Sequence, residues 1–425
     1  MTNAWPPGRT FWTTEFPERT NDRTTPFLFK GIVPPAAAIA DDVLDGFAVI
    51  RHAHTADTGI SAHARVYVGE ERRDDLLDRV LAAPAWTDGG FVTWMQELVA
   101  AERFSVVINN LETISPALAA GLGHLLASLF DGWGVPLGGA ELVAFAGNYS
   151  GTAFGVHEGY EDAFLTHYGP GVKHFYTWSN EEYQKLTGGQ DPLYGDYLWL
   201  LDHAKHFVLE PGDALFLPRR VFHVGRQDEF SVSIAMPLYT YPDAAILRAA
   251  VLPDLLEAHL TGGPDTELGQ PSPMTEFTAG TTPVTRRLTA LATRTLNSAG
   301  RHAERAVERH LRQRWNTLLS NGGWEMVQDD LARAEAATAF DPNQVTAGAT
   351  VAVTAPYRLI VDGDQAFLRG CEITTDPDVL TPELVTAVNT APLTLPADDN
   401  VLTAVRALGA TGGLTATPAP KETSA

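Results

Sequence analysis

Two histidines carry the chemistry of this chain, and a glycine stands where a third metal ligand is expected. His157 lies in Gly155-Val-His157-Glu-Gly159-Tyr-Glu-Asp, and His223 closes the run Pro211-Gly-Asp-Ala-Leu-Phe-Leu-Pro218-Arg-Arg-Val-Phe-His223. Residues two apart on a strand share a face. A His-x-Asp or His-x-Glu strand beside a strand bearing a second histidine therefore grips one metal ion, the 2-His-1-carboxylate set of non-haem iron. Here the position two after His157 is Gly159. An exogenous anion completes such a site, another acid substitutes, or the metal site is degenerate. Glu158 falls on the opposite face by alternation. Glu161 and Asp162 lie beyond a turn, where alternation is no longer a guide, and either could supply the acid.

These residues need strands to hold them, and the surrounding pattern supplies strands. Between 141 and 238, short apolar runs at 142–146, 163–168, 173–178, 214–217 and 230–234 are separated by Gly, Pro, Asn and Asp. Regularly spaced short strands with turn signals predict a barrel or sandwich. The Pro211-Gly-Asp turn opens one strand and Pro218 ends it. His167 shares strand parity with His157 if no bulge intervenes, so it is a candidate for the cavity wall. Arg219, Arg220 and Arg226 flank the second strand as surface charges or, alternatively, as a seat for a substrate anion.

Upstream, apolar residues recur at helical spacing over 74–81 and 91–101, and 104–110 is β-rich. Ser115-Pro116 opens a helix, with serine as cap and proline at its first position, and Gly132 with Gly134 ends it. The first ~50 residues, with Phe11-Trp12 and Phe27-Leu-Phe, read as an irregular arm laid on the core. Downstream, 248–260, 284–319 and 329–337 read as helices, followed by a small β-containing end domain at 350–369. Residues 415–425 read as a Pro/Thr-rich disordered tail.

The chain has 425 residues and a formal charge of -22, which excludes the clustered basic surface of a nonspecific nucleic-acid binder. An acidic surface serves solubility first and a basic protein or peptide partner second. Cys371 is the single cysteine, so neither an intrachain disulfide framework nor a multi-thiolate metal site is available. No charged-then-apolar leader is visible and no window is long and apolar enough to cross a bilayer, so a cytoplasmic enzyme is expected.

The run from 104 to 238 resembles the JmjC-type, cupin-like Fe(II)- and 2-oxoglutarate-dependent oxygenases, in particular their bacterial ribosomal-oxygenase branch. The matched text is Val106-Val-Ile-Asn-Asn-Leu-Glu112, Phe154-Gly-Val-His157 with Phe164 beyond it, and Pro211-Gly-Asp to His223. Pro26-Phe-Leu-Phe-Lys-Gly31 resembles the family's opening segment, and Asp362-Gly-Asp-Gln-Ala-Phe-Leu-Arg-Gly370 resembles the start of its winged-helix domain. The resemblance implies an α+β chain. It would have a JmjC/cupin double-stranded β-helix (jelly-roll) barrel with N-terminal helices at 1–241 and a helical region, resembling the family's dimerisation segment, at 242–325. A winged-helix-like domain at 326–414 and the tail at 415–425 would follow.

By the same resemblance, His157 and His223 are iron ligands, and Lys173 holds the distal carboxylate of 2-oxoglutarate, O2 being the cosubstrate. Gly159 would be a vacant carboxylate position. In other 2-oxoglutarate enzymes such a vacancy admits chloride or bromide, so halogenation is the leading expectation. Hydroxylation with another acid ligand and a decayed, cupin-like binding protein are the alternatives. A solvated, strand-end Lys173 is the alternative to the binding role. The substrate class implied is a protein, peptide or small molecule, with no nucleic acid or membrane, and the chain is expected to be a homodimer.

Overall fold

The computed structural model describes residues 5–33, 37–56, 63–69, 71–86, 90–151, 155–189, 197–260, 283–326, 340–376 and 378–419. Ser115 begins the helix Pro116–Trp133 as its sequence demands, its side chain accepting from the Leu118 amide. Gly134 ends it, whereas Gly132 has a different use inside it: a Cβ there would lie 2.4 Å from the Cβ of Trp12. The missing side chain lets the N-terminal arm approach. Trp12 is buried and donates to Ser128 Oγ over 2.9 Å, and Phe11, Phe16 and Phe29 bury beside it. The arm is thus part of the main core.

Among the described residues, eleven strands form the barrel: β1 (Phe27–Phe29), β2 (His63–Val68), β3 (Glu71–Arg72), β4 (Phe104–Asn109), β5 (Val143–Tyr149), β6 (His157–Glu158), β7 (Asp162–Pro170), β8 (Lys173–Trp178), β9 (Lys205–Leu209), β10 (Ala214–Leu217) and β11 (Phe222–Leu238). The hydrogen-bonded order is β1-β10-β7-β11-β5-β4-β2-β3, with β6 and β8 also on β11 and β9 beyond β8. The long strand β11 explains how the fold closes. Its first part, Phe222 to Arg226, pairs with β6 and β8; its second, Ser231 to Leu238, pairs with β5 and β7. The register shifts between Gln227 and Ser231, the irregularity by which one strand turns the corner from one sheet to the other.

By its contacts the chain divides into two compact units, one comprising 1–240 with 316–425 and the other 241–315. The helical stretch read as one run is two helices, Pro283–Gly300 and Ala303–Ser320. The helix expected at 329–337 lies outside the described residues. Toward the C-terminus, Thr350–Val353 pairs with Leu414–Thr417, so the first residues of the expected disordered tail belong to a sheet. Strand pairing there satisfies backbone groups that a free tail would leave to water. Among the described residues no helix is long and apolar enough to cross a membrane.

Candidate metal centre and its cavity

Antiparallel pairing of β6 with β11 sets His157 directly opposite His223, with ring centroids 4.2 Å apart. Each ring is oriented by a carbonyl of its own chain segment: His157 Nδ1 lies 3.1 Å from Gly155 O, and His223 Nδ1 lies 3.0 Å from Val221 O. A carbonyl only accepts, so Nδ1 carries the proton and the lone pair sits on Nε2, the arrangement that prepares imidazole for a metal. Burial lowers the pKa of both rings, and His223 is pushed down to about 3 by desolvation and then by the neighbouring His157. Both are therefore neutral, as metal ligation requires.

The pair opens onto a cavity of about 250 Å³, with Lys173 in its wall and apolar surface from Val143, Phe145, Leu165 and Leu217. Lys173 is 2% exposed, which removes the solvated, strand-end alternative. Its ammonium donates to Tyr149 Oη over 2.6 Å and to Gln227 Oε1 over 3.2 Å. Gln227 is itself held the right way round, because its amide nitrogen donates to the Gly147 and Ser231 carbonyls. Among the described residues no acid forms an ion pair with Lys173, and burial alone pushes its pKa down to about 7. A buried ammonium with two neutral acceptors and no counter-charge is a seat for an anion. Gly225 makes room for it, since a Cβ there would lie 3.1 Å from Lys173 Cε. Tyr149, Gln227 and Gly225 carry no motif and are invisible as site residues in the sequence.

Gly159 is fastened at the rim by two backbone bonds, its N–H to Val221 O at 3.2 Å and its carbonyl from Arg220 N–H at 2.5 Å. A Cβ built on it lies 3.3 Å from His223 Cε1, so a side chain at this position would point at the histidine pair. Two of the acids that could have replaced it are engaged elsewhere. Asp162 Oδ1 accepts from the Arg219 amide at 2.8 Å, and Glu158 pairs with Arg220 at 3.1 Å. Glu161 borders the cavity mouth, its carboxyl held above the usual range by burial and by Glu141 and Glu325. Among the described residues, no group of three His, Cys, Asp or Glu side chains is placed to hold a metal.

His167 departs from expectation. It shares the strand parity of Leu165, which lines the cavity, but it lies farther along β7 and does not line the cavity itself, and burial lowers its pKa to about 4. Both ring nitrogens are engaged, Nδ1 with Ser233 Oγ at 2.9 Å and Nε2 with Gly171 O at 2.7 Å. The side chain is fully buried. Parity fixes a face but not a depth, and this histidine braces the turn after β7.

An antiparallel barrel with paired histidines on neighbouring strands defines a class, and residues 142–245 match the model of the JmjC domain. The fold of the chain is that of YcfD from Escherichia coli: one structure of that protein is 15% identical with a TM-score of 0.52, covering 98% of this chain and 99% of the other. A second, titled a ribosomal oxygenase in complex with cobalt and 2-oxoglutarate, is 14% identical with a TM-score of 0.51, covering 95% and 98%. No curated protein sequence matches the chain.

Proposed function

We propose that this chain is an Fe(II)- and 2-oxoglutarate-dependent oxygenase that hydroxylates a C–H bond of a protein substrate. The carrying observation is the pairing of two neutral, carbonyl-oriented imidazoles with a buried, uncompensated ammonium across one small cavity. His157 and His223 would hold the iron through Nε2, and Lys173 with Tyr149 would hold the distal carboxylate of 2-oxoglutarate. When bound, iron and 2-oxoglutarate supply the oxidising chemistry, O2 being reduced as 2-oxoglutarate is converted to succinate and CO2. The protein's part is orientation and exclusion of water: the apolar wall keeps the site dry, and the Gln227 amide keeps Lys173 aimed inward.

A protein substrate and hydroxylation fit the JmjC match and the description of YcfD as a ribosomal oxygenase. Halogenation is the second reading, favoured by Gly159 alone: the space its missing side chain leaves beside His223 would take chloride or bromide. A decayed binding protein has no use for an unpaired buried Lys173, whose burial costs stability. The test is anaerobic loading with Fe(II) and 2-oxoglutarate, then O2, with succinate measured. Succinate formation that depends on both histidines is expected; absence of both metal binding and succinate overturns the proposal. Supplying chloride throughout separates the two outcomes by whether the oxidised product carries oxygen or chlorine. In Gly159→Asp, a carboxylate beside His223 is expected to tighten Fe(II) binding by at least ~10-fold.

A further inference from the structure

A second cavity, about 540 Å³, lies on the same rim of the barrel, and Pro218 lines both. Three arginines border it, Arg23, Arg219 and Arg220, together with Trp133 and the acids Asp22 and Asp162. One of its acids is engaged, Asp162 accepting from the Arg219 amide through Oδ1. The guanidinium carbon of Arg23 lies over the Trp133 ring, 4.8 Å from its centroid, a cation–π contact that helps to hold it in place. Arg220 pairs with Glu158, while the Arg219 side chain, exposed on the rim, forms no ion pair among the described residues.

The backbone marks the same place. Among the described residues seven non-glycine positions have positive φ, and three of them, Asp22 (55°), Arg23 (66°) and Arg220 (65°), border this groove, with Asn21 (48°) adjoining. Left-handed conformations cost non-glycine residues free energy and gather where a surface is built for use. Arg220 in particular is bonded through its amide to the Gly159 carbonyl, so the groove wall and the metal-site rim are one piece of backbone.

We propose that this groove binds an acidic side chain of the polypeptide substrate, an Asp or Glu carboxylate flanking the residue that enters the cavity. Guanidinium forks match carboxylates bidentately, and a chain leaving the metal cavity over Pro218 meets Arg219 first. The identification of the ligand as part of a peptide rests on the oxygenase reading above; the anion site itself does not.

The net charge of -22 disfavours nonspecific uptake of anions. A fluorescent hexaglutamate peptide is titrated with the full-length protein at low salt and followed by anisotropy, with hexaglutamine as the neutral control. Saturable binding of the acidic probe only is expected, weakened at least ~10-fold in Arg219→Glu and further in Arg23→Glu/Arg219→Glu. Arg72→Glu, the same charge change at a remote exposed site, is expected to leave it within ~2-fold. Thermal melts establish that each variant is folded. Hexaglutamate that does not bind, or binds the Arg219→Glu and Arg72→Glu proteins alike, overturns the inference. So does groove-dependent binding of tripolyphosphate that excludes hexaglutamate at equal charge, since the site would then be built for phosphate. The metal reading fails separately: His157→Ala is expected to bind the probe like the parent protein while losing succinate formation.

Discussion

The barrel holds two pairs of histidines on neighbouring strands, and they are built for different ends. His157 and His223 lie inside, each ring tied by Nδ1 to a carbonyl two residues earlier in its own chain. His174 and His206, on β8 and β9, lie toward solvent and are bonded to each other, Nδ1 to Nε2 at 3.0 Å, with His206 stacked on Tyr176 at 4.4 Å. In the outer pair one nitrogen lone pair is spent on the other ring. In the inner pair the two rings meet edge to face with centroids 4.2 Å apart, and both line the same cavity. Proximity of two histidines therefore says little; the partner of Nδ1 decides whether they make a metal site.

The largest expected effect breaks the inner pair. His157→Ala and His223→Ala should each lower Fe(II)-dependent succinate formation by at least ~100-fold, whereas His174→Ala and His206→Ala should stay within ~2-fold. Equal losses from both pairs would abolish the distinction. The metal affinities can be measured independently by calorimetry.

Lys173→Met extends the comparison from metal to cosubstrate. Loss of a charged hydrogen bond is expected to weaken 2-oxoglutarate binding by ~10- to 100-fold, while replacing an uncompensated buried charge stabilises the fold by roughly 1 to 4 kcal/mol. Higher melting temperature with lower affinity is the signature. The pH dependence has a definite sign. The folded-state pKa, about 7, lies below the free value of 10.5, so between these pH values the unfolded chain holds more protons. Stability from this group rises with pH across that window, and the variant should lose that slope. Binding of 2-oxoglutarate runs the other way, weakening as pH rises through about 7 and the ammonium of the free protein is lost. Cosubstrate affinity that strengthens over this range would contradict the role of Lys173.

The smallest effect concerns the third kind of histidine. His167, with both nitrogens bonded to protein, should act on stability alone: His167→Phe is expected to cost roughly 1 to 3 kcal/mol through the stranded Ser233 and Gly171 partners. Its Fe(II) affinity should be unchanged. A change in metal affinity without a change in denaturation midpoint would return this residue to the site.

Much of the barrel was legible because strand alternation and turn chemistry are local. The runs at 163–168, 173–178 and 214–217 fall within strands, the run at 142–146 begins one residue before its strand, and Ser115-Pro116 opens its helix as written. The long strand β11 was legible only in part, at 230–234, since the bend between Gln227 and Ser231 answers to two different partner strands. Likewise the break at Arg301-His302 divides what periodicity reads as one helix.

For the site, the family resemblance pointed to Lys173, and the sequence by itself offered His157 and His223 as candidate ligands and showed that Gly159 brings no carboxylate. These depend on residue type and on a two-residue period that survives without knowledge of any neighbour. Only the tertiary structure decided what those groups are worth. It showed Lys173 buried without a counter-charge, His167 turned away into its own hydrogen bonds, and Asp162 and Glu158 committed to the arginine rim. Tyr149 and Gln227 come to the site from strands far apart in the chain, and burial, hydrogen-bond partnership and shared cavities are properties of such long-range contacts, which no local pattern encodes.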